Sequence, residues 1–418
     1  MTRIRSYTGV IYQLPGIERS TPFLVLIPPM LNITDVPADL WHIILPLACT
    51  DGGFTGTSFA HTCTTLYARA LPSRFYSLAL SSLAHMEGFL DLLRRQPNDF
   101  RPHIAHLYIS HSDQPRRRFQ HSWSSMSQMT GAQRGQYRRM AEEAKADWNA
   151  RFRVAFDAIL SLAAPSLRTL WVAGDCAPVI LYTLPKLEEL TWMGATLLPD
   201  AAGLPHSPID SGMSTRPGTS TVPALKRVHF IPGTSSEIPP ALRSLQAAAN
   251  TLTHLRISDV HDSTVSEGVP LALAEALAPD ARLYDEDNYE EYDDDSFDNS
   301  YNGEASNTDN VTDEDAWVQQ TTPLRPATLP NLEQVLVLCT PSELGRHIVF
   351  ADVRPRYLEL LAQEFERRGE AMRHMHVFYD RKRPEDRELY WRKRLKAEWL
   401  DRLDAGRACW IYHDEGIE

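Results

Sequence analysis

The sequence predicts an α/β fold, a small N-terminal helical module followed by an irregular solenoid of strand-then-helix repeats. Three observations carry this. First, the pattern Pro-x-h-x-x-h-x-h, with h apolar, recurs from residue 100 onward. It starts at Pro102 (Ile104, Leu107, Ile109), Pro165 (Leu167, Leu170, Val172), Pro185 (Leu187, Leu190, Trp192), Pro223 (Leu225, Val228, Phe230) and Pro330 (Leu332, Val335, Val337). A copy without proline starts at Asn250 (Leu252, Leu255, Ile257), and a weaker one has Met372, Met375 and Val377 as its apolar positions. The last four positions of each copy alternate, as a short half-buried strand does. Second, helix-like stretches over 134–162, 238–249 and 355–368 lie between copies, and strand followed by helix is the signature of an α/β solenoid. Third, Leu40, Ile43, Ile44 and Leu47 precede the repeats at i, i+3, i+4 and i+7, the apolar stripe of a helix.

Taken in order, residues 1–30 are interrupted by proline and carry no period. Residues 31–80 read as a helical unit. Asp35-Val-Pro37 starts its first helix, because proline suits a first turn. Thr50-Asp51-Gly52-Gly53 ends that helix with turn chemistry. A second helical stretch runs from Thr57 to Ala70 and stops at Leu71-Pro72, and a third covers 83–95. Residues 81–383 hold the repeats, with irregular spacing that requires looped-out insertions. Residues 193–222, rich in Gly, Pro, Ser and Thr, form one such loop. Residues 280–325 form another, acidic and expected to be disordered. Residues 384–418 make a helical tail. Within 134–162, Trp148, Phe152, Ala155, Phe156 and Ile159 form an apolar stripe, which suits a helix packed on its neighbours or a partner-binding helix.

Composition narrows the function. The chain has 418 residues, 43% apolar and 23% charged, as a globular protein does. Its net charge of −12 is local: residues 285–315 hold 14 Asp and Glu and no Lys or Arg, so the remainder is close to neutral. The basic clusters, Arg116–Arg118, Arg381–Arg383 and Arg392–Lys396, are short and scattered, so no nucleic-acid partner is expected. No apolar run approaches the roughly 20 residues of a membrane span, and Arg3 and Arg5 are not followed by a signal-peptide core. The five cysteines, at 49, 63, 176, 339 and 409, are dispersed, which suits a reducing compartment. A cytoplasmic or nuclear protein is expected, and the sequons at Asn32 and Asn310 are then idle.

Catalytic signatures are absent. The sequence has no GxSxG, HExxH, GxxxxGK[ST] or GxGxxG. Asp51–Gly56 is glycine-rich but follows a helix rather than a strand. Cys49, His61 and Cys63 are spaced more loosely than zinc pairs. His103, His106 and His111 flank the first repeat strand, and His374 and His376 share a strand face without a third ligand. No enzyme activity, metal or cofactor is expected. An interaction protein is favoured instead.

Residues 31–80 resemble an F-box, on Ile33-Thr-Asp-Val-Pro37-Ala-Asp-Leu40-Trp41-His-Ile43-Ile44-Leu45 and Phe59-Ala-His-Thr-Cys63-Thr-Thr-Leu66-Tyr67-Ala-Arg69. Ala48–Gly56, Arg74–Leu80 and Glu398–Arg402 with Gly406 and Trp410 resemble the F-box-like proteins abundant in mushroom-forming fungi. The repeats are similar to degenerate leucine-rich repeats. The start departs from the family's pattern, being softened to Val-Pro-Ala-Asp-Leu40, and the loop after the first helix is long. The resemblance implies a substrate receptor of a Skp–cullin–F-box ubiquitin ligase. Pro37, Leu40, Trp41, Ile43, Ile44 and Leu47 would dock a Skp-family adaptor, and the repeat domain would hold a target protein. The alternative is a leucine-rich-repeat-like scaffold without a ubiquitin role.

Strand alternation selects the target face. In each copy the residues between the apolar positions point away from the core. These are Arg168, Thr169 and Trp171; Glu188, Glu189 and Thr191; Lys226, Arg227 and His229; Thr253, His254 and Arg256; and Glu333, Gln334 and Leu336. Trp171 is the leading candidate for target binding, with Arg168, Arg227 and Arg256 beside it.

Overall fold

The computed structural model describes residues 36–97, 100–110, 129–174, 182–194, 221–234, 237–261, 331–340, 374–379 and 387–405, with 180, 198, 273, 276, 329, 362 and 363 singly. Residues 1–30, the acidic stretch 285–315, and Gly406 and Trp410 lie outside these, as do all but a few residues of 193–222 and 355–368.

The chain is an α/β protein built on one parallel sheet of eight strands in sequential order. The first helices are α1 (Ala38–Ala48), α2 (Phe54–Thr62) and α3 (Thr64–Ala70). The expected helix over 57–70 is thus two helices. The break falls at Cys63, whose extended backbone caps α3 and whose sulfur accepts from Leu66 N at 3.5 Å. Strand β1 (Ser77–Leu80) and α4 (Leu83–Arg94) follow, so the segment 31–80 is not wholly helical. Then come β2 (His106–Ser110), α5 (Gly131–Ala163), β3 (Thr169–Ala173), β4 (Glu189–Met193) and β5 (Arg227–Ile231). The chain continues through α6 (Ile238–Ser244), β6 (His254–His261), β7 (Gln334–Thr340), β8 (His374–Tyr379) and α7 (Arg387–Ala405). Helix α5 begins at Gly131, ahead of the expected 134, because Thr130 and Gln133 form a reciprocal capping box.

Register accounts for the recurring apolar spacing. Leu78, Leu107, Leu170, Leu190, Val228, Leu255, Val335 and Met375 stand opposite one another across the sheet. All face a core that includes Trp148, Phe152, Phe156 and Ile159 of α5. That stripe is therefore a packing stripe. At the entries of β2 to β7, two successive N–H groups donate to one carbonyl just before the preceding strand. Tyr76 O, Ala105 O, Arg168 O, Glu188 O, Lys226 O and Thr253 O each accept such a pair at 2.7–3.1 Å. This paired ladder keeps the strands in register whatever the length of the intervening segment.

The other face carries a second core: Tyr108, Trp171, Ala173, Met193, Ile231, Leu336 and Leu338 under Trp391, Leu395 and Trp399 of α7. Both faces are thus buried, as is general for parallel sheets. By internal contacts the chain divides into residues 1–43 and 44–418, and the division falls inside α1.

Candidate functional site

Helix α1 exposes one apolar face. Leu40 is 47% exposed, Ile43 60%, Ile44 42% and Leu47 69%. Leu45 and Cys49, on the opposite side, are buried. Trp41 is also buried, because it lies about 100° around the helix from Leu40. It therefore does not belong to the exposed face as expected, whereas Pro37 is exposed.

The turn after α1 is tightly held. Asp51 accepts from Thr55 N at 2.8 and 3.0 Å and from Thr55 Oγ1 at 2.6 Å. Gly52 (φ 76°) and Gly53 (φ 96°) take left-handed conformations that only glycine adopts without strain. Gly52 N donates to Ser77 Oγ at 3.2 Å, and Ser77 Oγ donates to Thr50 O at 3.3 Å. A Cβ on Gly52 would lie 3.4 Å from Trp399. The structure thus brings together three segments separated in sequence: 48–56, 74–80 and 398–402. Phe54, which follows this turn, is exposed. It was not singled out in the sequence, where one exposed aromatic in a turn leaves no periodic signal.

The expected target face is closed. Trp171 and Arg256 do point away from the first core, as alternation requires, but both are buried under α7. Thr191, His229 and Leu336 of the same row are buried as well. Arg256 pairs with Glu398 at 3.3 Å, and Glu398 also takes Arg394 at 2.9 Å. Buried Glu189 holds Arg402 at 3.0 Å and Arg227 at 3.5 Å. At the start of α7, Arg387 pairs with Asp259 and donates to Pro232 O and Gly233 O. Asp259 sits in a bulge of β6 at φ 67° and also accepts from Thr340 Oγ1 at 2.8 Å. Of the four target candidates, Arg168 is exposed and Arg227 is partly exposed, both at the strand-entry edge. What the sequence reading missed is the cover. Its signal is Trp391, Leu395 and Trp399 at i, i+4 and i+8.

Between sheet and α7, His229 Nε2 lies 2.9 Å from Ser258 Oγ, which also accepts from Arg256 Nε at 3.1 Å. Burial holds the His229 imidazole well below its usual range, and Arg256 and Arg394 push it further. His106 is pushed down to about 4 by burial and by Arg168, Arg402 and His103. Burial, with Asp51, pushes the Cys49 thiol up to about 11, which leaves it protonated and unreactive.

Among the described residues no cluster of three or more His, Cys, Asp or Glu could hold a metal ion, and no helix is long and apolar enough to cross a membrane. His61 and Cys63 are exposed while Cys49 is buried. No protein-family model, no curated protein and no solved structure matches the chain.

Proposed function

We propose that the chain is the substrate-recognition subunit of a Skp–cullin–F-box ubiquitin ligase. On this reading residues 31–80 act as an F-box-like module, and the sheet with its helices is an irregular leucine-rich-repeat-like solenoid. The observation that carries it is the exposed apolar face of α1: Leu40, Ile43, Ile44 and Leu47. An exposed apolar stripe of this kind marks a protein-docking surface. The adaptor covers that face. Target selection falls to the solenoid, with Arg168 and Arg227 as the accessible members of the target set, and transfer chemistry belongs to the recruited ubiquitin-conjugating enzyme. Cysteine dispersal and the absence of catalytic motifs in the sequence fit a receptor without chemistry of its own.

The test is co-purification with a Skp-family adaptor. Ile44→Asp and Leu47→Asp place a charge at the centre of an apolar interface, which costs several kcal/mol and converts a micromolar complex to one not retained. Both side chains are exposed in the free chain, so circular dichroism of the variants stays that of the wild type. Retention of the adaptor by both variants, or no adaptor bound by the wild type, removes the reading.

A further inference from the structure

Parallel strands all enter from one edge of a sheet, and the residues just before them form a row along it. Arg168 precedes β3, Lys226 precedes β5, Arg227 opens β5 and Lys186 lies in the turn before β4. Arg168, Lys186 and Lys226 are exposed. Arg402 of α7 reaches the same edge and shares the Glu189 carboxylate with Arg227. Against these cations stand Glu188, Glu189 and Glu333, so the edge is net positive. His103 and His106 lie in the same field: burial lowers both pKa values, and the neighbours that add to it are Arg168, Lys186, Arg402 and, for His106, His103.

The sequence contains a matching polyanion. Residues 285–315 carry 14 Asp and Glu without a single Lys or Arg. They belong to the stretch that joins β6 to β7. Those strands are parallel, so the chain must return to the strand-entry edge before Gln334. A chain of the length from 315 to Glu333 reaches at most about 60 Å. Three strand spacings from β7 to β4 amount to about 14 Å. The acidic stretch is therefore tethered within reach of the basic row. We infer that residues 285–315 dock in cis on the strand-entry edge at Arg168, Lys186, Lys226 and Arg227, an edge that takes acidic polypeptide. The inference is independent of any adaptor. It also means that an acidic target segment has to displace the chain's own.

The experiment uses a labelled peptide of residues 285–315 and fluorescence anisotropy at low salt. The proteins are the full chain and a chain whose 285–315 stretch is replaced by a Gly/Ser linker of equal length. The replaced chain binds the peptide, and the full chain binds it at least about tenfold more weakly because its tethered copy competes. Arg168→Glu, Lys186→Glu and Lys226→Glu combined in the replaced chain lower affinity at least about tenfold, and salt near 0.5 M abolishes binding. The corresponding triple Gln variant, milder for folding, gives a smaller loss in the same direction. Equal peptide affinity for both chains overturns the inference. So does undiminished binding by the charge-reversed and Gln variants, or by a peptide with every Asp and Glu changed to Asn and Gln. A single-stranded oligonucleotide that outcompetes the peptide reassigns the edge to nucleic acid.

Discussion

Asp259 is held at φ 67° in β6, a conformation that costs a non-glycine residue about 1–3 kcal/mol. What compensates is its position: one oxygen accepts from Thr340, and the other pairs with Arg387 at the start of α7. Asp259→Ala keeps the strain and leaves Arg387 partly buried without its carboxylate. A loss of about 2–4 kcal/mol is expected in urea unfolding. Asp259→Gly relieves the strain and loses less. If the glycine variant is the weaker of the two, the carboxylate is not what holds the site. A second residue-scale prediction concerns acid. His229 and His106 are neutral in the folded chain at pH values where a free imidazole is protonated. The unfolded state then binds more protons, so stability falls as pH drops below about 6.5 and continues to fall to about 4. His229→Gln combined with His106→Gln flattens the melting temperature over that window. An unchanged pH slope in the double variant contradicts this assignment.

At the scale of elements, α7 decides what the sheet can bind. Trp391, Leu395 and Trp399 are fully buried, and truncating Trp399 to Ala removes contacts with the sheet core. The expected cost is about 3–5 kcal/mol in urea unfolding, and a cost near zero means that α7 does not pack there. Strands β2–β8 were legible in the sequence because the spacing h-x-x-h-x-h sets inward-facing positions that depend only on local alternation. The first strand escaped although Phe75, Leu78 and Leu80 fit that spacing, because Pro72 falls one position early and the segment reads as the end of a helical unit. The cover over the second face was not legible for a different reason. A row of Trp171, Thr191, His229, Arg256 and Leu336 mixes polar and apolar groups, as a solvated binding surface does. Alternation gives each side chain's direction but not what lies above it. The partner, Trp391 to Trp399, is far along the chain, and its stripe records that α7 buries a face without recording where. The α1 face was legible as a stripe, and only Trp41 was misplaced on it.

At the scale of the whole molecule, residues 285–315 carry 14 Asp and Glu without a single Lys or Arg, and like charges at that density resist compact packing. Deleting that stretch is expected to move the melting temperature by no more than about 2 °C, and a drop near 10 °C means that it packs into the core. Electrostatic docking at the strand-entry edge is compatible with the small shift, because exposed ion pairs contribute little to stability. Among the described residues, Leu40, Ile43, Ile44 and Leu47 of α1 are exposed, and the proposed docking of the adaptor falls there. Hydrogen exchange of the full chain, with and without a Skp-family adaptor, tests it most directly. Docking on α1 gives adaptor-dependent slowing of exchange within residues 38–62 and unchanged exchange in β3–β7. Slowing confined to the sheet or to α7, or no slowing at saturating adaptor, contradicts it.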